Sequence, residues 1–274
     1  MDSLPTELLE RIVQHLHVGD LFRLMTLNRR LEAVCRDHLA RKQSSLVLTT
    51  DKSSSSSAKD TLYVSVSGNW STRASYSAPL GGMWGSLVRS LASLRSLHVG
   101  QRICLDDPTP IRLLIRANLS SLECVRVPRS FMWDRRQPLF PADEEGDCAA
   151  PCLREVSGVT HADLPFLLRN SSRLESLGIE LSPLDNHDMC VIARLPLMQE
   201  LRIDGSGAPV DISTSGILEV MRGASRASLS CVRVSLDPSR TFVDTRLLRQ
   251  EVEAMQLEQP HRPRLRLSIT SILA

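Results

Sequence analysis

The sequence contains no long apolar run, no block of one charge and very little lysine. Its 274 residues carry 33 basic and 31 acidic side chains, a formal net charge of +2. No stretch approaches the roughly 20 uninterrupted apolar residues of a membrane helix. Asp2, Glu7, Glu10 and Arg11 interrupt the apolar region that a secretory signal needs. We therefore expect a soluble globular chain, and the charge balance gives no reason to expect a nucleic-acid or membrane partner.

The cysteines and the absence of known catalytic motifs argue against further classes of protein. The seven cysteines are odd in number and scattered, which predicts reduced thiols and a cytoplasmic and/or nuclear protein. No G-x-S-x-G, H-E-x-x-H, paired C-x-x-C or Walker A sequence occurs. The sequence therefore predicts a protein that is not an enzyme and that uses no cofactor.

Two constellations of chemically active side chains are weak candidates for a site. Cys148, Cys152 and His161 could be imagined as metal ligands, but no fourth ligand is suitably spaced. His187 and Cys190 lie three residues apart on a predicted helix, where we expect Cys190 to pack inward rather than act as a nucleophile.

Three short amphipathic helices are predicted in the first forty residues. Apolar residues recur at helical spacing in the first and third segments, at Leu8, Leu9, Ile12, Val13 and Leu16, and at Leu31, Val34, Cys35, His38 and Leu39. We expect Gly19 to end the first helix, Asp20 to cap the second and Asn28 to cap the third. Helices this small have more apolar surface than they can bury among themselves, so a partner is expected.

This segment resembles the F-box, a three-helix module that docks onto the Skp adaptor of cullin-RING ubiquitin ligases. The similarity runs without gaps from Leu4-Pro5 to the Leu27–Leu31 stretch, although Asn28 stands where a Cys is common and Leu31 where a Trp is common. The resemblance implies a Skp-family adaptor and, through it, cullin as partners. It also implies a Skp-binding set: Leu4, Pro5, Leu8, Leu9, Ile12, Leu16, Leu21, Leu24, Leu27, Arg30 and Leu31. An ordinary helical cap on the following domain is the alternative.

The composition changes after Lys42. Strand-like segments around Leu46 and at Leu62, Val64 and Val66 flank a serine-rich stretch at residues 51–60, which we expect to be a disordered loop. The predicted domains are therefore an F-box at residues 1–42 and a second domain at residues 43–274.

Segments of the form L-x-x-L-x-V/I recur through the second domain, with helix-like clusters between them. They begin at Leu94, Leu122, Leu153, Leu174, Met198 and Leu229, and Leu265, Leu267 and Ile269 make a final strand. The pattern resembles irregular leucine-rich repeats of the kind found in F-box proteins. It implies an α/β fold, a three-helix F-box followed by an irregular leucine-rich-repeat solenoid. A doubly wound α/β domain is the structural alternative.

Two parts of the second domain are candidate substrate-binding regions. The repeat template points one set of charged residues to the concave sheet face: His98, Arg126, Glu155, Glu180, Glu200, Arg202, Arg233 and Arg266. An ordinary solvated face is an equally open reading. A long insertion at residues 128–152 adds Phe131, Trp133, Arg135 and Arg136, residue types enriched at interfaces. Alternatively, the aromatic residues of the insertion, Phe140 included, cover the core.

The sequence thus predicts a substrate-recognition adaptor of a Skp-cullin-F-box ubiquitin ligase. The F-box would bind the Skp subunit, and the repeats would hold a protein substrate close to the ubiquitin-loaded enzyme. One alternative is a non-ligase F-box scaffold that binds partners without cullin. Another, an α/β enzyme with a helical appendage, has no recognisable active site.

Overall fold

The chain forms two compact units, Met1–Phe131 and Met132–Ala274. A computed structural model describes residues 4–16, 18–25, 27–42, 45–50, 62–67, 91, 94–99, 109–127, 138–140, 149–180, 183–205, 210–236, 243–258, 260 and 264–271. Both units are mixed α/β, which agrees with the predicted fold class. The serine-rich stretch at residues 51–60 lies outside the described residues.

Three helices open the first unit. They are α1 (Thr6–Gln14), α2 (Val18–Met25) and α3 (Arg29–Lys42). As predicted, Asn28 caps α3, since its Oδ1 accepts the N–H of Leu31 at 2.8 Å. The apolar stripes meet in a small core of Leu9, Val13, Leu21, Met25, Leu31, Val34 and Cys35.

The predicted boundary between the first two helices is wrong in detail. Gly19 does not end α1, because α1 stops at Gln14 and Gly19 lies within α2. The last turn of α1 closes instead with short-range hydrogen bonds, from the His15 N–H to Ile12 O at 3.1 Å and from the Leu16 N–H to Val13 O at 3.3 Å. Asp20 is likewise no cap, since it lies in the first turn of α2, where a carboxylate favours the positive end of the helix.

The first unit continues with four strands and one described helix. They are β1 (Ser45–Thr50), β2 (Leu62–Ser67), β3 (Ser96–Val99), α4 (Thr109–Asn118) and β4 (Cys124–Arg126). Strands β1 and β2 pair antiparallel, while β1 with β3 and β3 with β4 pair in parallel. The strand-like segments on either side of the serine-rich stretch are therefore neighbours in one sheet.

The second unit alternates strands and helices. Its elements are β5 (Glu155–Val159), a 3₁₀ turn (His161–Asp163), α5 (Leu164–Asn170), β6 (Ser176–Glu180), β7 (Leu184–Asp185), α6 (Asn186–Ile192), β8 (Glu200–Asp204), β9 (Val210–Asp211), α7 (Thr214–Arg222), β10 (Cys231–Leu236), α8 (Thr245–Glu258) and β11 (Arg266–Ser271). The main strands pair in parallel in the order β5, β6, β8, β10, β11. This order follows the chain without the reversal typical of a doubly wound sheet.

Successive strands stack through one repeated hydrogen-bond pattern. The N–H groups of Glu175 and Ser176 both donate to Arg154 O, at 2.7 and 2.9 Å, at the start of β6. Equivalent pairs form at β4, β8 and β10 on Arg95 O, Glu175 O and Gln199 O. The inward residues of the repeated segments, such as Leu177 and Leu201, are fully buried. The same hydrogen bonds at the start of each strand and the same buried positions therefore accompany the recurring L-x-x-L-x-V/I segments.

A β-bulge lies in β5, where the sequence departs from the L-x-x-L-x-V/I spacing. Leu153, Val156 and Val159 are all buried although the last two are three residues apart. The pairing of β5 with β6 shifts register between Ser157 and Val159, and Gly158 has a φ of 81°, in the region that favours glycine. One extra residue thus returns Val159 to the inner face, opposite Ile179.

Candidate partner-binding surfaces

Helix α1 presents an apolar stripe outward. Leu8 and Ile12 lie one turn apart on α1 and are 44% and 48% exposed. Leu27, between α2 and α3, is 64% exposed. Leu9 and Val13 face the core at the same time, so α1 is apolar on more of its surface than its own unit covers. These accessible apolar side chains are of the type that protein-binding surfaces contain.

The remaining members of the predicted Skp-binding set divide by burial. Leu9, Leu21 and Leu31 are buried, at 3%, 2% and 4% exposure, and therefore support the helices from within. Pro5 is exposed, whereas Leu4, Leu16, Leu24 and Arg30 are half-buried. The accessible apolar residues of the set are thus concentrated at Pro5, Leu8, Ile12 and Leu27.

Arg30 connects α3 to α1. Its Nη2 donates to Thr6 Oγ1 at 3.0 Å, which joins the start of α3 to the start of α1. This contact gives Arg30 a role within the fold. Contact of Arg30 with a Skp subunit stays a prediction.

The sheet of the second unit carries charged side chains on its open face. Arg202 binds Glu200 with two hydrogen bonds, from Nε at 2.9 Å and from Nη2 at 3.0 Å, and Arg233 lies 3.8 Å from the same carboxylate. The bound Arg202 guanidinium lowers the pKa of Glu200, and this carboxylate raises the pKa of Arg202. Both arginines are exposed, so the predicted outward register of Arg202 and Arg233 is confirmed. Binding of a substrate to them stays a prediction.

In the first unit, the corresponding face holds a thiol and an imidazole. Cys124 Sγ lies 3.7 Å from His98 Nε2, and both side chains are half-buried. Arg126 is exposed and pairs in register with His98. The predicted face residues of β3 and β4 are therefore neighbours on the sheet.

The insertion is anchored near its middle by a buried carboxylate. Asp163 accepts the N–H groups of Leu139 and Phe140 on Oδ1, at 2.5 and 3.0 Å. Its Oδ2 accepts the N–H and hydroxyl of Thr160, at 2.8 and 3.0 Å. Burial raises the pKa of Asp163, against these hydrogen bonds, which favour the charged form. Sequence reasoning missed Asp163, whose only local signal is the Thr160-x-x-Asp163 spacing of a helix start.

Phe140 belongs to the core rather than to a binding surface. Its ring stacks on Phe166, with centroids 5.1 Å apart and an angle of 9° between planes, and it is fully buried. The reading in which aromatic residues of the insertion cover the core is therefore correct for Phe140. Phe131, Trp133, Arg135 and Arg136 lie outside the described residues.

The weak catalytic and metal candidates gain no support. Cys190 is exposed, so the expectation that it packs inward is wrong. The reason is that α6 buries the side of the helix with Met189 and Ile192, to which Cys190 does not belong. Among the described residues no group of three or more His, Cys, Asp and Glu is placed to hold a metal ion. Cys148 lies outside them.

No described helix is long and apolar enough to span a membrane.

Comparison with known proteins identifies the helical segment. Residues 1–42 match the F-box domain, a range that contains α1, α2 and α3. A comparison with curated proteins gives no match. The chain therefore carries an F-box domain, and its accessible Leu8 and Ile12 lie within that domain. The leucine-rich-repeat resemblance of the rest of the chain stays a prediction.

Proposed function

We propose that this protein is a substrate-recognition adaptor of a Skp-cullin-F-box ubiquitin ligase. The F-box match over residues 1–42 is the observation that carries the proposal. F-box domains generally bind a Skp subunit and, through it, cullin. In this assignment the protein contributes no catalytic group, and it acts in the cytoplasm and/or the nucleus.

The docking surface in this proposal is the outward stripe of α1. Leu8 and Ile12 are half-exposed while their neighbours Leu9 and Val13 fill the unit's own core. Fully burying an exposed aliphatic side chain contributes about 1.5–3 kcal/mol, and because Leu8 and Ile12 are already about half buried, a partner that completes their burial would contribute roughly half of that for each. Leu27 and Pro5 extend the accessible apolar surface beyond α1.

The second part of the proposal is that the repeats form an irregular leucine-rich-repeat solenoid that holds a protein substrate. Three features support it: the chain-ordered parallel strands, the shared hydrogen bonds at the strand starts, and the open charged face. Helices contact one another in the same chain order, α5 with α6, α6 with α7 and α7 with α8. A substrate held on such a scaffold reacts faster because its effective concentration beside the ubiquitin thioester rises.

A non-ligase scaffold is the second candidate, because the F-box match bears on the Skp contact and not on the assembly beyond it. Reconstitution separates the two functions. The full chain, a purified Skp subunit and cullin would be mixed and resolved by size-exclusion chromatography. The ligase adaptor predicts one complex of all three. A Skp complex that excludes cullin would assign the scaffold function, and failure to bind Skp would overturn both.

A further inference from the structure

The last strand of the second unit, β11, is covered less completely than the strands before it. Leu267 and Ile269 point to the same inner face as Val232 and Val234 of β10, with which they pair in register. Val232 and Val234 are 0% and 1% exposed, whereas Leu267 and Ile269 are only half-buried. The apolar layer therefore continues to β11 and remains partly open there.

The backbone of β11 is also open along one edge. β10 pairs with β11 over all six residues from Arg266 to Ser271. In the part of the chain that the structure describes, β11 ends the strand order and no strand pairs with its other edge. Such an edge presents N–H and C=O groups that can hydrogen-bond to an added strand.

Two arginines lie at the start of this edge. Arg264 and Arg266 are exposed, and neither forms an ion pair with a described carboxylate. In register, Arg266 lies beside Cys231 of β10, and the next residue across the sheet is Glu200, which already binds Arg202. An acidic side chain placed opposite Arg266 on an added strand would lie beside its guanidinium.

We propose that the β11 edge binds an extended segment of a partner protein by strand addition. The segment has apolar residues at alternate positions, which cover Leu267 and Ile269, and an acidic residue beside Arg266. A second copy of this chain fits less well, because β11 contains no acidic residue to pair with the arginines. The inference rests on the proposed substrate-holding role of the second unit and is independent of Skp docking.

The test uses the full chain and short synthetic probes. A fluorescein-labelled heptapeptide that alternates valine with glutamate is titrated with the protein by fluorescence anisotropy. The comparison peptide alternates valine with lysine. We expect the glutamate peptide to bind about tenfold more tightly than the lysine peptide, because each opposite-charge pair across strands is favourable and each like-charge pair is not.

Two variants and one modified probe locate the binding site. Arg266→Glu should reverse the preference between the peptides, whereas Arg249→Glu, at an exposed position of α8, should leave it unchanged. Methylating alternate backbone nitrogens on one edge of the glutamate peptide should abolish binding, because those nitrogens can no longer donate to β11. Methylating the opposite edge should have little effect.

Several outcomes would overturn strand addition at this edge. The first is that the glutamate peptide does not bind at millimolar protein. The second is that Arg249→Glu and Arg266→Glu change the preference between the two peptides equally. The third is that methylation of either edge of the glutamate peptide leaves its affinity unchanged. Light scattering that shows dimers which the peptide dissociates would assign the edge to a second copy instead. Skp binding is measured on every variant. A protein that binds Skp but does not bind the glutamate peptide would refute this inference and leave the F-box docking intact.

Discussion

The Asp163 carboxylate accepts a hydrogen bond from the backbone N–H of Phe140, 23 residues earlier in the chain, at 3.0 Å. Because Phe140 stacks on Phe166 just after Asp163, one polar and one aromatic contact fix the same point of the insertion. The insertion is thereby attached to the start of α5 as well as at its two ends.

Replacing Asp163 with Asn should destabilise the protein. An amide keeps one acceptor oxygen for Leu139 and Phe140, but its NH₂ group faces the N–H of Thr160 and leaves a buried donor unpaired. We expect the free energy of unfolding in urea to fall by about 1–3 kcal/mol. Asp185→Asn is the matched control, because Asp185 caps α6 in an exposed position and Asn is an equally good cap. Equal losses in the two variants would contradict a special role for Asp163.

The register of the second sheet predicts opposite behaviour at neighbouring positions. Leu177→Ala and Leu201→Ala remove fully buried side chains and should each lower the free energy of unfolding by about 2–5 kcal/mol. Arg202→Ala breaks only a largely exposed ion pair with Glu200 and should cost less than about 1 kcal/mol. If denaturant melts showed a larger loss of unfolding free energy for Arg202→Ala than for both leucine variants, the inner and outer faces would be reversed.

Two cysteines should differ in reactivity. Cys35 is fully buried in the F-box core, and burial raises the pKa of its thiol to about 11. At pH 8 only about one thiol in a thousand would be ionised there, and the thiolate is the reactive form. Cys190 is exposed on α6. Native protein treated with iodoacetamide and analysed by mass spectrometry should carry the label on Cys190 and not on Cys35 until it is unfolded. Equal native labelling would contradict the packing of α3.

The proposed ligase role makes the three lysines a test of self-ubiquitylation. Lys42, Lys52 and Lys59 are the internal amines of the sequence. Changing all three to Arg keeps the charge and removes the nucleophile, so Skp binding should survive while self-modification in a reconstituted ligase falls to what the N-terminal amine permits. Wild-type protein that binds Skp and cullin yet is modified at none of these lysines would contradict the prediction that they are the acceptors.

Local patterns predicted the elements well, and contacts between distant residues account for what they missed. The cap at Asn28 and the repeated strands follow from short spacings, because the groups involved lie within a few residues. Gly19 failed as a helix end because α1 closes earlier through bonds among its own last residues. The bulge at Gly158 and the Asp163 anchor depend on a neighbouring strand and on a segment 23 residues away, which no local pattern specifies.

The measurement that tests the central claim most directly is Skp binding by a protein with Leu8→Asp and Ile12→Asp. Both side chains are half-exposed and lie outside the unit's core, so the variant should fold while charges occupy the proposed interface. Leu113→Asp is the control, because Leu113 on α4 has a similar exposure of 47% and lies outside the F-box. The account predicts that the double variant loses at least tenfold in affinity for a purified Skp subunit, roughly 1.4 kcal/mol or more, while the control binds like wild type. Unchanged Skp affinity of the double variant would contradict it.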